Sequence, residues 1–207
     1  MNFLTKIYAW ILKNYVKAIS FLVIIGLAYG IYLYFYFIAQ NKDQEAGDLF
    51  LNFYNSYSAS DFNEQDYKIV TNKISQIDIT SIYLVMLKSI YAAESVESND
   101  LQKALTELSN AREILSSKGS EFNFLKEIID LRMVNILIDL EDLLKAKNIL
   151  NNTFTTYHTN KLILQGDILA IEKKFDEAKQ KYIDAVELSE NETQKNLINL
   201  KISTLTE

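Results

Sequence analysis

The chain has 207 residues, a net charge of −6 and 49% hydrophobic residues, but no cysteine, no proline and only 5 glycines. The missing cysteines exclude disulfides, a thiolate metal site and a cysteine nucleophile. The shortage of the two main turn residues argues against a β-rich or loop-rich fold, and no basic stripe with interleaved aromatics suits nucleic acid.

The charge divides unevenly along the chain. Residues 1–39 hold Lys6, Lys13 and Lys17 and no acid, so the rest carries −9. Residues 18–39 read AISFLVIIGLAYGIYLYFYFIA, without a charge. As a helix this stretch is roughly 33 Å long, close to the hydrocarbon thickness of a bilayer. Lys17 and the run Gln40, Asn41, Lys42, Asp43 bracket it. Tyr32, Tyr34, Phe35, Tyr36 and Phe37 crowd its C-terminal end, as aromatics do at a membrane interface. The run is too long for a signal-peptide core of about 7–15 residues, and Phe37 stands two residues before Ala39, where a cleavage site needs a small side chain. The expectation is a retained single transmembrane helix. The lysine asymmetry places residues 1–17 in the cytoplasm and residues 40–207 across the membrane. Residues 4–15 read either as an interfacial amphipathic helix or as a plain extension of the anchor. Gly26 and Gly30 have GxxxG spacing, a weak helix-pairing signal.

Beyond the membrane segment the helical period continues through Ala46, Leu49, Phe50, Phe53, Tyr54 and Tyr57. The anchor is predicted to run unbroken into a first soluble helix ending near Ser58–Asp61, with a shorter helix over Tyr67, Val70, Ile74 and Ile77. Helix pairs follow, and three share one frame. In QGDILAIEKKFDEAKQKYIDAVEL, residues 165–188, Gly166 precedes Ala178 by twelve positions. Ala185 follows seven later, with Tyr182 three before it. Ala92, Ala104 and Ala111 with Leu108 repeat the frame, and Val134, Ala146 and Thr153 with Leu150 repeat it more loosely. Small residues let two antiparallel helices approach, and the bulky one fills the groove toward the next pair. This is the tetratricopeptide frame. Turns are predicted at residues 97–100, 140–142 and 172–174, with an insertion at 116–122. The predicted fold class is therefore all-α: an N-terminal transmembrane helix followed by a tetratricopeptide-like α-solenoid of about three degenerate helix pairs.

Nothing in the sequence assembles a catalytic or metal site. His158 has no cysteine or second histidine to work with, and no phosphate-binding glycine loop or GxSxG motif is present. The expectation is a protein without enzymatic activity or cofactor. What remains is surface, since stacked helix pairs create a concave binding face. The frame assigns that face to Ser89 and Ala93, Leu131 and Asn135, and Ile163 and Asp167, with Ile138 and Ala170 one turn on. The groove is mixed apolar and amide, suited to a helix or an unspecific peptide.

The order of a basic N-terminus, one anchor and three degenerate pairs, with LRMVNILIDLEDLLKAKNIL at 131–150 and KISTL at 201–205, resembles the YfgM family. That family is an ancillary subunit of the Sec translocon with a tetratricopeptide-like periplasmic domain. The resemblance implies an inner-membrane protein beside the Sec channel subunits. It implies as partners a membrane-anchored periplasmic chaperone related to peptidyl-prolyl isomerases, and exported client proteins. The residues themselves leave an alternative: a structural scaffold tying a different envelope complex, in assembly or division, to the inner membrane.

Overall fold

A computed structural model describes residues 15–205 except 60 and 61, with side chains from residue 25 onward. Among these residues the fold is all-helical, with nine α-helices and one short 3-10 turn.

Helix α1 (Tyr15–Ala59) is 45 residues long, about 68 Å at 1.5 Å per residue. With no proline to interrupt it, the helix passes from the apolar stretch into the segment beyond Ala39 without a break. From Ala46 onward one face is buried: Ala46, Phe50 and Phe53 pack with Tyr67, Ile74, Leu84, Leu87 and Tyr91. Ahead of Ala46 the large apolar side chains from Ile25 to Phe37, Leu33 excepted, stand about half or more exposed. Among the described residues no helix is long and apolar enough to cross a membrane. The span expected at 18–39 includes residues 18–24, whose side chains lie outside the described set, as do Lys6, Lys13 and Lys17.

Helices α2 (Glu64–Ile77), α3 (Ile82–Glu97) and α4 (Leu101–Ser116) follow, then the 3-10 turn Ser120–Phe122. Asn63, Ser81 and Asp100 cap α2, α3 and α4 by accepting hydrogen bonds from the first free backbone N–H groups. Next come α5 (Asn123–Asp139), α6 (Leu143–Leu150), α7 (His158–Ile171), α8 (Phe175–Leu188) and α9 (Glu192–Thr204).

The turns inside the three pairs are built alike. Asn99, Glu141 and Lys173 all have left-handed backbones, with φ of 61°, 59° and 62°. In each turn the next residue donates its N–H five residues back: Asp100 to Ser95 at 2.7 Å, Asp142 to Leu137 at 2.8 Å, and Lys174 to Leu169 at 2.9 Å. Each left-handed residue stands five before the small residue opening the second helix, namely Ala104, Ala146 and Ala178, all with no exposed surface. Backbone and packing thus repeat in one register. Ala92, Ala111, Val134, Ala185, Leu108, Leu150 and Tyr182 are buried as well, and so is Gly166. Gly166 lies under the Tyr182 ring, where a Cβ would come within 2.5 Å of Cε1.

The middle pair departs from the frame at its end. Helix α6 stops at Leu150, and Thr153 is exposed in the following loop. Asn151 and Asn152, weak helix formers, follow its last residue. The buried place falls to Phe154, packed with Leu150, Leu164 and Ile168. The loop is held by Glu127 of α5, whose buried carboxylate accepts from the N–H groups of Thr155, Thr156 and Tyr157 and from the Thr155 hydroxyl, at 2.8–2.9 Å. Arg112 of α4 is paired with the buried Asp130 of α5.

Candidate protein-binding cleft

Helices α3 and α5, the first members of consecutive pairs, lie side by side, and their outward residues form the walls of a cleft. On α3 these are Met86, Ser89 and Ala93, at i, i+3 and i+7. On α5 they are Ile128, Arg132, Asn135 and Asp139, spaced four, three and four. The hollow divides into two adjoining parts of about 410 and 380 Å³, which share Ser89, Ala93 and Arg132. Phe50, Tyr54 and Tyr57 of α1 close the first part, so the long N-terminal helix supplies one wall. Val96, Glu97 and Asp139 bound the second.

The polar groups of the walls are mostly engaged within the fold. The Ser89 hydroxyl donates to the Val85 carbonyl at 2.8 Å, and the Asn135 amide donates to the Leu131 carbonyl at 3.1 Å. The Tyr57 hydroxyl donates to Glu94 at 2.7 Å. That bond, then burial and the nearby carboxylates, pushes the phenol up to about 12, so it stays a donor. Arg132 differs: among the described residues it has no hydrogen bond and no ion pair.

The residues assigned from the frame divide into three groups. Ser89, Ala93 and Asn135 line the cleft. Leu131 sits at the position equivalent to Ser89, but it is buried with Val134, Ala146, Leu164 and Ile168. A leucine there reaches the next pair, whereas a serine leaves the groove open. Ile138 is half-buried against the same cluster. Ile163 and Ala170 pack on the C-terminal cluster around Tyr182 and Ile198. Asp167 accepts from the Tyr182 hydroxyl and from Lys201, both at 2.6 Å, which ties α9 to α7. The face formed by Ile163, Asp167 and Ala170 is therefore largely covered by the protein's own last helices.

Sequence reasoning missed the aromatic wall from α1 and the charge at Arg132. The stripe from Ile128 through Arg132 to Asp139 was the available signal, since it extends the register of Asn135. His158 is the exposed first residue of α7. Among the described residues no group of three or more His, Cys, Asp or Glu side chains is placed to hold a metal. Among the described residues the cleft offers apolar contact and, in Arg132, a cation without a partner, which suits binding.

Comparison with known proteins agrees with this architecture. A relative from Buchnera aphidicola subsp. Acyrthosiphon pisum (strain APS), named ancillary SecYEG translocon subunit, is 27% identical over 198 residues, covering 94% of this chain and 96% of that protein. No solved structure matches. The family model described as a tetratricopeptide repeat-like domain matches residues 9–207. Nearly the whole chain thus falls within that match, and the protein belongs to the tetratricopeptide repeat-like domain family.

Proposed function

We propose that this protein is a non-catalytic, membrane-anchored interaction module that attends the Sec translocon, receiving partner or client segments in the cleft between α1, α3 and α5. The observation that carries the reading is the cleft itself, an open apolar hollow at the place where a helical-repeat domain binds, in a chain that aligns over 94% of its length with a relative named as a translocon subunit. The anchor is residues 18–39. Its support is the uncharged run and the exposed ring of Ile25, Leu27, Tyr29, Ile31, Tyr32 and Phe35. An apolar surface of that extent calls for a cover, and lipid suits a helix that already satisfies its own backbone. The N-terminus then lies in the cytoplasm and residues 40–207 in the periplasm of a bacterial inner membrane. Because α1 is continuous, Phe50 stands about 17 Å along the helix beyond Ala39, which on this reading would set the height of the cleft's aromatic wall above the bilayer. The partners are Sec channel subunits, a membrane-anchored periplasmic chaperone and exported chains.

The test is co-purification of the full chain from mild detergent. Sec channel subunits should accompany it in stable proportion. Their absence, with a different envelope complex in their place, would replace this reading by that of a scaffold.

A further inference from the structure

The cleft is graded along its length. At the α1 end its lining is aromatic and aliphatic: Phe50, Tyr54, Met86, Leu125 and Ile128. At its middle stands Arg132, a cation with no partner among the described residues. At the far end stand Glu97 and Asp139, the final residues of α3 and α5. Neither helix has a basic residue in its last turn. The carbonyl ends of two parallel helices therefore add their negative field to that of the two carboxylates. The order along the groove is apolar, positive, negative.

The walls also select the form of an occupant. They are α-helices, whose backbone groups are already paired, and the Ser89 hydroxyl and Asn135 amide donate within their own helices. An extended peptide would find few partners for its own N–H and C=O groups. A helix satisfies its backbone itself and needs only side-chain complementarity. The groove follows α3 for 16 residues, roughly 24 Å, so it takes a helix of about the same length.

Resting on the cleft reading above, we propose that the cleft receives an amphipathic helix of a partner protein with a matching charge order: apolar anchors against the α1 wall, a carboxylate over Arg132, and lysine or arginine at the Glu97–Asp139 end. Charge complementarity of this kind sets register and suppresses wrong partners more than it adds raw affinity.

The probe is a pair of fluorescein-labelled 16-residue synthetic helices of identical composition. One is ordered apolar–Glu–Lys and the other apolar–Lys–Glu. Anisotropy is read with the full chain in detergent micelles at low salt, against protein-free micelles. The first peptide is expected to bind roughly five- to tenfold more tightly. R132E is expected to remove that preference or invert it, and R132Q to leave it halfway. Arg132 is exposed and unbonded, so both variants should keep the parent's melting curve, which is checked first. Equal binding of the two peptides overturns the charge order and leaves the cleft reading standing. Binding of neither overturns both. A preference that survives R132E assigns the selectivity to another site and overturns the proposal.

Discussion

At Gly166 a hydrogen stands where any side chain would strike the Tyr182 ring, and that ring is itself buried and bonded to Asp167. The ring cannot swing aside, so Gly166→Ala should cost about 1–3 kcal/mol, the usual range for overpacking. Thermal melting followed by circular dichroism should show a fall of roughly 3–8 °C. The double variant with Tyr182→Leu should lose less than the two single changes together, because without the ring the new methyl at position 166 has nothing to strike. The repeated turns carry the opposite opportunity. Glu141 and Lys173 hold left-handed backbones that glycine adopts without a Cβ penalty. Glu141→Gly and Lys173→Gly should each stabilise by about 0.5–1 kcal/mol, while Asn99→Gly should change little, asparagine being already tolerant there. A lower melting temperature for both glycine variants would show that those turns are held by other contacts. The packing positions were legible because twelve- and seven-residue spacings of small side chains have few causes other than close helix contact. The left-handed residues were not, since a glutamate or lysine at an exposed turn carries no propensity signal for that backbone.

Glu127 joins elements rather than residues. Its carboxylate gathers the N–H groups ahead of α7 and so fixes the loop by which the third pair joins the second. Burial pushes this carboxyl up, but the bonds from Thr155, Tyr157 and Thr156 outweigh it and hold the group below the ordinary glutamate value. A carboxylate lowered on folding contributes stability that is present above its unfolded value, near 4.5, and is lost as pH falls through the lower folded value. Protection of the 155–157 amides against hydrogen exchange should therefore persist at neutral pH and be lost only in acid, as pH falls below the unfolded value and through the lower folded one. Glu127→Ala should cost about 1.5–3 kcal/mol, the usual worth of hydrogen bonds to a charged acceptor, by removing the shared acceptor of three backbone N–H groups and the Thr155 hydroxyl, and Glu127→Gln less, since one acceptor oxygen remains. Unchanged protection in Glu127→Ala would remove the role assigned to it. Periodicity predicted α5 and α7 but could not show this link, because a bond to a residue 28 or more positions away leaves no local pattern. The same holds for Leu131: the frame gave its place on the helix, while its side-chain length decided that it reaches the next pair instead of the groove.

Across the whole molecule, α1 serves two regions at once. Its first part is the proposed anchor, and its last part, through Phe50, Tyr54 and Tyr57, walls the cleft. The helical period of α1 was readable from Ala46 to Tyr57, yet its use as a groove wall was not, because that depends on how the first pair docks against it. If residues 18–39 span the membrane, protease added outside spheroplasts should digest the chain beyond about residue 45 and leave the segment before it protected. A mature protein beginning after residue 39 would contradict that topology. The central claim is that partners are held in the cleft and not by the membrane helix. The most direct measurement is site-specific photocrosslinking in intact membranes, with the photoreactive residue placed at Met86, Ala93 or Asn135 in the cleft, or at Gly26 or Gly30, which have open space around them. The account predicts that the cleft positions yield adducts containing Sec channel subunits, the chaperone or exported chains. Adducts with those proteins from Gly26 and Gly30 alone, and none from the cleft, would contradict it.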